Sequence, residues 1–175
     1  MSLFRRLPLA GVLFSTLFIA ACGFQPLYGS GQGVVGGAVA DDLADVRITT
    51  IPDRVGQIVR NDLLDRLNPF GEPNAPRFSL AVELEEGKEG LAIQIDDTVT
   101  RFNLTLTANY ALTDAVTAEI LTTGSVRATA AYNVLRSDFA NVIAERDAQQ
   151  RAAREISDEL KTRLAVYFGG LGGQE

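Results

Sequence analysis

Histidine is absent from this 175-residue chain, and cysteine occurs once, as Cys22. The first absence removes the commonest metal ligand and the side chain most used as a general base near neutral pH. The second leaves no thiol pair for a disulfide within the chain, so stability has to come from burial and hydrogen bonding. Basic residues are in deficit as well, with 16 Lys and Arg against 22 Asp and Glu. That balance argues against nucleic acid, which asks for a basic face. An anionic lipid would need a local basic patch working against the overall field. No G-x-S-x-G elbow or S-x-x-K motif is present to supply an activated serine. The adjacent carboxylates Glu85-Glu86 and Asp96-Asp97 fall near expected turns and are read as solvated, because neighbours along a strand point to opposite faces. No catalytic constellation, metal site or cofactor is expected.

Long apolar runs are missing too, except near the start. Arg5 and Arg6 precede Leu7 to Ala21, which carries no charge, and the small residues Ala20 and Ala21 sit directly before Cys22. A basic n-region, a short apolar h-region and a small-residue cleavage site make a secretory signal. The stretch is shorter than the ~18 apolar residues a spanning helix needs, and Pro8 and Gly11 interrupt it. A lone cysteine at such a place could be a reactive thiol, a metal ligand, half of an intermolecular disulfide or an attachment point for lipid.

Ile19-Ala20-Ala21-Cys22 resembles the lipobox of bacterial lipoproteins. The resemblance implies that residues 1–21 are removed and that Cys22 carries covalent lipid, against the plainer reading of a signal peptide with an incidental cysteine. Each buried CH₂ contributes roughly 0.8 kcal/mol, and two or more acyl chains hold a protein stably where one does not. Gly23 stands where aspartate would favour inner-membrane retention, so the expected location is the periplasmic face of the outer membrane. Removing residues 1–21 leaves 154 residues, enough for one domain, with 14 basic and 22 acidic side chains.

Residues 22–42 are rich in glycine and small side chains and read as a lipidated cysteine followed by a flexible tether. Within them Gly31 to Gly36 spells G-x-G-x-x-G, but the dinucleotide reading requires a strand before and a helix after, and no helical periodicity is evident there. The folded domain is expected over 43–168, with a flexible tail at 169–175. Val46 to Ile51 alternates as a first strand. Val55, Ile58, Val59, Leu63 and Leu67 recur at helical spacing, with Asp53 suited to an N-cap and Asn68-Pro69 as the stop. Phe78 to Leu84 alternates, and Leu91, Ile93 and Ile95 continue after a break at Gly87 to Gly90. Phe102 to Leu112 is the clearest strand, and a turn around Thr113 to Thr117 leads into another at 119–134. Ser137 or Asp138 can cap a last helix, with Phe139, Val142, Ile143, Ala153, Ile156, Leu160 and Leu164 on one side and Gly169-Gly170 as its end.

The predicted fold is α+β, in the order β-α-β-β-β-α: a mainly antiparallel four-stranded sheet with two helices packed on one face. Its other face would carry Arg101, Asn103, Thr105, Thr107, Asn109 and Arg127, together with Thr129. Such a face is either ordinary solvated sheet or a surface that docks against another polar wall, for instance the lumen of an outer-membrane barrel. Composition leaves both readings open.

Three segments resemble the LptE family in its alphaproteobacterial form: "CGFQPLYG" at Cys22 to Gly29, "RFNLTLTANYALTDA" at Arg101 to Ala115, and "YNVLRSDFANVIAERDAQQRAAREISDEL" at Tyr132 to Leu160. The resemblance implies a small α+β lipoprotein of the outer-membrane lipopolysaccharide translocon. Such a protein is non-enzymatic, plugs and helps to assemble the barrel LptD, and is a candidate for contact with lipopolysaccharide itself. Of functional residues it carries over only Cys22; Arg101 and Arg127 are candidates from strand parity. The competing class is a lipoprotein adaptor or periplasmic ligand-binding module of another envelope assembly complex.

Overall fold

The computed structural model describes residues 35–93 and 99–171. The signal sequence, Cys22 and most of the tether lie outside the described residues, as do Asp96-Asp97 and the tail from residue 172. The chain divides into two units, 1–37 and 38–175, and the architecture below belongs to the second apart from the first three residues of its first helix. Its elements are α1 (Val35–Ala44), β1 (Val46–Ile48), α2 (Asp53–Leu67), β2 (Phe78–Ile93), β3 (Val99–Asp114), β4 (Ile120–Asn133) and α3 (Asp138–Leu171). The sheet runs β1-β2-β3-β4, with β1 parallel to β2 and the other neighbours antiparallel. A parallel neighbour needs a crossover connection, and α2 supplies it.

The class is the one expected, and the differences are local. Helix α1 occupies what reads as the end of the tether. Its glycines hide the pattern, yet Val39 and Leu43, four residues apart, are both buried, so tertiary burial outweighs the low helix propensity of glycine. The G-x-G-x-x-G motif therefore does run into a helix; the first strand of the sheet, β1, follows that helix, and the residues before it lie outside those described. Strand β1 is shorter than expected, although Thr49 still donates its N–H to the Leu80 carbonyl. Pro52, not Asp53, takes the N-cap position of α2, without a side-chain cap. Close by, a Cβ on Gly56 would come within 2.9 Å of the Ile51 carbonyl oxygen, so α2 can sit against this connection only with glycine there.

Strand β2 does not break at Gly87 to Gly90. Glycine keeps its N–H and C=O, so Gly87 pairs with Thr105 and Gly90 with Phe102, and irregularity starts only at Ala92. Glu85 and Glu86 accordingly sit within a strand, not at a turn, and face opposite sides. At the β3–β4 turn Asp114 accepts hydrogen bonds from the N–H groups of Thr117 and Val116, which hold its carboxyl below the usual carboxylate range. Ser137 caps α3 through the Ala140 N–H, and Asp147–Arg151 and Glu159–Arg163 form the i,i+4 pairs on its outer side. The helix continues through Gly169-Gly170 to Leu171, with Gly169 against Val39 of α1.

Side chains of one parity make the core: Leu80 and Val82 on β2, Leu104, Leu106 and Leu112 on β3, Val126, Ala128 and Ala130 on β4. Val59, Leu63 and Leu67 of α2 and Ile156, Leu160, Leu164 and Phe168 of α3 complete it from the other layer. The first two turns of α3 are not part of this layer. Phe139 is 76% exposed, and Val142 and Ile143 are half exposed, so the apolar stripe runs beyond the core it serves further along.

Candidate docking face

Opposite parity places all six expected residues on one side of the sheet, because directly paired strand residues point the same way. Asn109 stands between Glu83 and Ser125, Thr107 between Glu85 and Arg127, Thr105 between Gly87 and Thr129, and Asn103 between Glu89 and Ala131. Arg101 lies opposite Asn133 at the end of the same face. Arg101, Asn109 and Arg127 are exposed, while Asn103, Thr105 and Thr107 are half-buried by their neighbours. The Thr105 and Thr129 hydroxyls hydrogen-bond across the strands at 3.1 Å.

Sequence reasoning assembled this face from β3 and β4 and left out β2. Glu83, Glu85 and Glu89 share its parity, and the alternation along Phe78 to Leu84 already carried that signal. They line the β2 side with carboxylates, while Arg101 and Arg127 bring positive charge on β3 and β4. The face is thus polar and of mixed sign across its width. It suits a wall with dipoles and both charges better than it suits a phosphate-rich headgroup.

On the side covered by the helices, a polar clamp fastens β2 to α3. Lys88 donates to Glu145 at 2.8 Å, and the Tyr132 hydroxyl donates to the same carboxylate oxygen at 3.2 Å. The Lys88 ammonium lies 4.7 Å from the centroid of Phe102, which stacks on Tyr132. One turn further along the helix, Gln149 donates to Glu86 and accepts from Arg54 of α2. The hydrogen bond from Lys88 holds the Glu145 carboxyl below its usual range, and the same bond raises the Lys88 value.

The signs fix the pH window. The contribution of Glu145 is complete above its unfolded value of about 4.3 and is lost as pH falls through the lower folded value. That of Lys88 is complete below about 10.4 and is lost as pH rises through its raised folded value. Both side chains are more than a third exposed, so screening keeps the pair small. Glu145→Gln is expected to cost about 0.5–1 kcal/mol at neutral pH. The deficit should vanish in strong acid, where the wild-type carboxyl is protonated too. Urea midpoints of both proteins across pH test this, and a deficit that persists unchanged in acid would remove the clamp.

Among the described residues no cluster of three or more acidic or sulfur-bearing side chains could hold a metal ion.

The sequence profile of LptE, described as lipopolysaccharide-assembly, matches residues 43–164. This chain belongs to the LptE family. The fold of this LptE-family protein is similar to that of a protein of Caulobacter crescentus CB15 classed as a lipoprotein, at 22% identity and a TM-score of 0.66, covering 77% of this chain and 98% of that one. It is also similar to rare lipoprotein B of Shewanella oneidensis, at 14% identity and a TM-score of 0.57, covering 73% and 98%. A minor lipoprotein of Acinetobacter baumannii matches at 14% identity and a TM-score of 0.53, covering 69% and 91%. No curated protein matches by sequence. LptE proteins are non-enzymatic, and the family is one of lipopolysaccharide assembly. Among the described residues no helix is long and apolar enough to cross a membrane.

Proposed function

We propose that this LptE-family protein is held by lipid on Cys22 at the periplasmic face of the outer membrane, and that its domain docks inside the barrel LptD as plug and assembly partner. The observation that carries the reading is the open face of the sheet, where Arg101, Asn103, Thr105, Thr107, Asn109 and Arg127 sit in register beside Glu83, Glu85 and Glu89. A barrel lumen is polar and is often plugged by a folded element, so a mixed-charge wall of hydroxyls, amides and ions can replace water there without leaving a charge unpaired. Lipopolysaccharide would pass such a plug and touch cationic side chains of this face, Arg101 and Arg127 among them.

Photo-crosslinking in living cells from Thr105 or Asn109 tests the docking. The expected product is a heat-stable adduct with a large barrel protein, absent when the reactive group is placed on buried Leu106. Labelling of both positions by water-soluble reagents alone, with no barrel adduct, would leave the face as ordinary solvated sheet and the docking reading without support.

A further inference from the structure

Strand β4 ends the sheet, and its hydrogen-bonding parity can be read from its C-terminal end. The Val134 N–H bonds inward to the Thr100 carbonyl, whereas the Ala131 carbonyl points outward, where the Arg151 guanidinium reaches it at 3.0 Å. The register is unbroken from Thr122 to Asn133, so the N–H and C=O groups of Thr123, Ser125, Arg127 and Thr129 also point away from β3. The other free edge of the sheet differs. Beyond Leu80, where β1 stops, β2 carries Glu83, Glu85, Glu86, Lys88 and Glu89, the kind of charge that keeps an edge from pairing. Thr123 to Thr129 has no proline, lysine or bulge, and Arg127 is its single charge.

Helix α3 overhangs this edge. Between them runs a groove of about 490 Å³, lined by Ser125 and Arg127 on the strand and by Glu155, Asp158, Thr162 and Arg163 on the helix. Asp158 is engaged by Arg66 and Arg163 by Glu159, while neither Glu155 nor Arg127 has an ion-pair partner among the described residues. A strand added here would lie about 4.8 Å from β4, inside the groove.

We propose that the outer edge of β4, from Thr123 to Thr129, accepts an extended segment of the docked partner as a fifth strand, with a basic side chain towards Glu155 and an acidic one beside Arg127. This rests on the docking reading for the identity of the partner. A closed barrel has no free edge, so the segment would come from a terminus or a loop of that protein. A second copy of this chain fits less well, since antiparallel pairing of β4 with itself across this stretch brings Arg127 against Arg127 or its near neighbours.

Amide exchange of the mature lipidated protein, alone and in the complex extracted from outer membranes, tests the proposal. The amides of Thr123, Ser125, Arg127 and Thr129 are expected to exchange fast in the lone protein and roughly tenfold or more slowly in the complex, with Val126 and Ala128 protected in both. Thr129→Pro removes one outward N–H without touching the β3 ladder. It is expected to melt near the wild type and to lose that protection and most of the complex. Equal exchange in the two states overturns the proposal, and so does a fully stable Thr129→Pro complex. Protection that appears in the lone protein on raising its concentration would assign the edge to a second copy and overturn the partner. Unchanged exchange alongside intact Thr105 crosslinks to the barrel would sink this edge while leaving the docking in place.

Discussion

Phe168→Ala is expected to destabilise the domain by about 3–5 kcal/mol, the range for emptying a fully buried aromatic site. Phe168 is only 2% exposed, its ring centroid lies 4.9 Å from that of Phe78, and Tyr167 meets it edge-on at 5.4 Å. Three elements depend on the position. Phe78 opens β2 and pairs with Val46 of β1, and the next residue of α3, Gly169, faces Val39 of α1. Collapse of the cavity would require β1 and α1 to move together, so little of the loss can be recovered by relaxation. A drop in melting temperature of about 10 °C or more follows for a domain of this size, and the amides of α1 should lose protection first. Phe168→Leu should recover a large part of the loss. A cost for the alanine variant below about 1 kcal/mol would show that this junction carries little of the stability.

How far the fold was legible depends on how local its cause is. Strands β3 and β4 were readable because a sheet with one wet face writes its burial into alternate residues, and the same parity placed Arg101 to Asn109 and Arg127 together. Helix α1 was hidden because its cause is not local: two glycines weaken it, and only burial of Val39 and Leu43 in the domain restores it. The end of α3 was misjudged for a related reason, as contact between Gly169 and α1 outlasts the tendency of two glycines to end a helix. The opposite error occurred at its start. Phe139, Val142 and Ile143 continue the apolar stripe, but the sheet does not extend under them and they stay exposed.

The acidic side of the open face was legible at Glu83 and Glu85 from the alternation before Gly87, and only Glu89 was hidden by the apparent break there. Glycine is rare in strands for entropic reasons, yet it forfeits no backbone hydrogen bond, and the ladder with β3 runs straight through. With β2 whole, the carboxylates join the register and the face changes from moderately basic to mixed. Parallel pairing of β1 with β2 was also invisible locally, since it depends on where α2 delivers the chain.

Cys22→Ser is expected to abolish outer-membrane recovery while leaving the folded domain as stable as before. Among the described residues no helix can span a bilayer, so the proposed lipid is what would fasten the domain to the membrane. Two acyl chains, at roughly 0.8 kcal/mol for each buried CH₂, provide effectively permanent attachment, and serine offers no sulfur to carry them. The variant should either keep residues 1–21 and stay in the inner membrane or be released uncoupled from any membrane. In both cases its intact mass lacks the acyl addition. Since Cys22 lies well before Val39, the first buried core residue among those described, thermal melts of the variant and of the wild type should coincide. Loss of complex with an unchanged melt would separate the anchor from the fold, because docking from solution forgoes the high local concentration that a short tether gives. An unmodified thiol in the mature wild-type protein, or full outer-membrane recovery of Cys22→Ser, would overturn the anchoring.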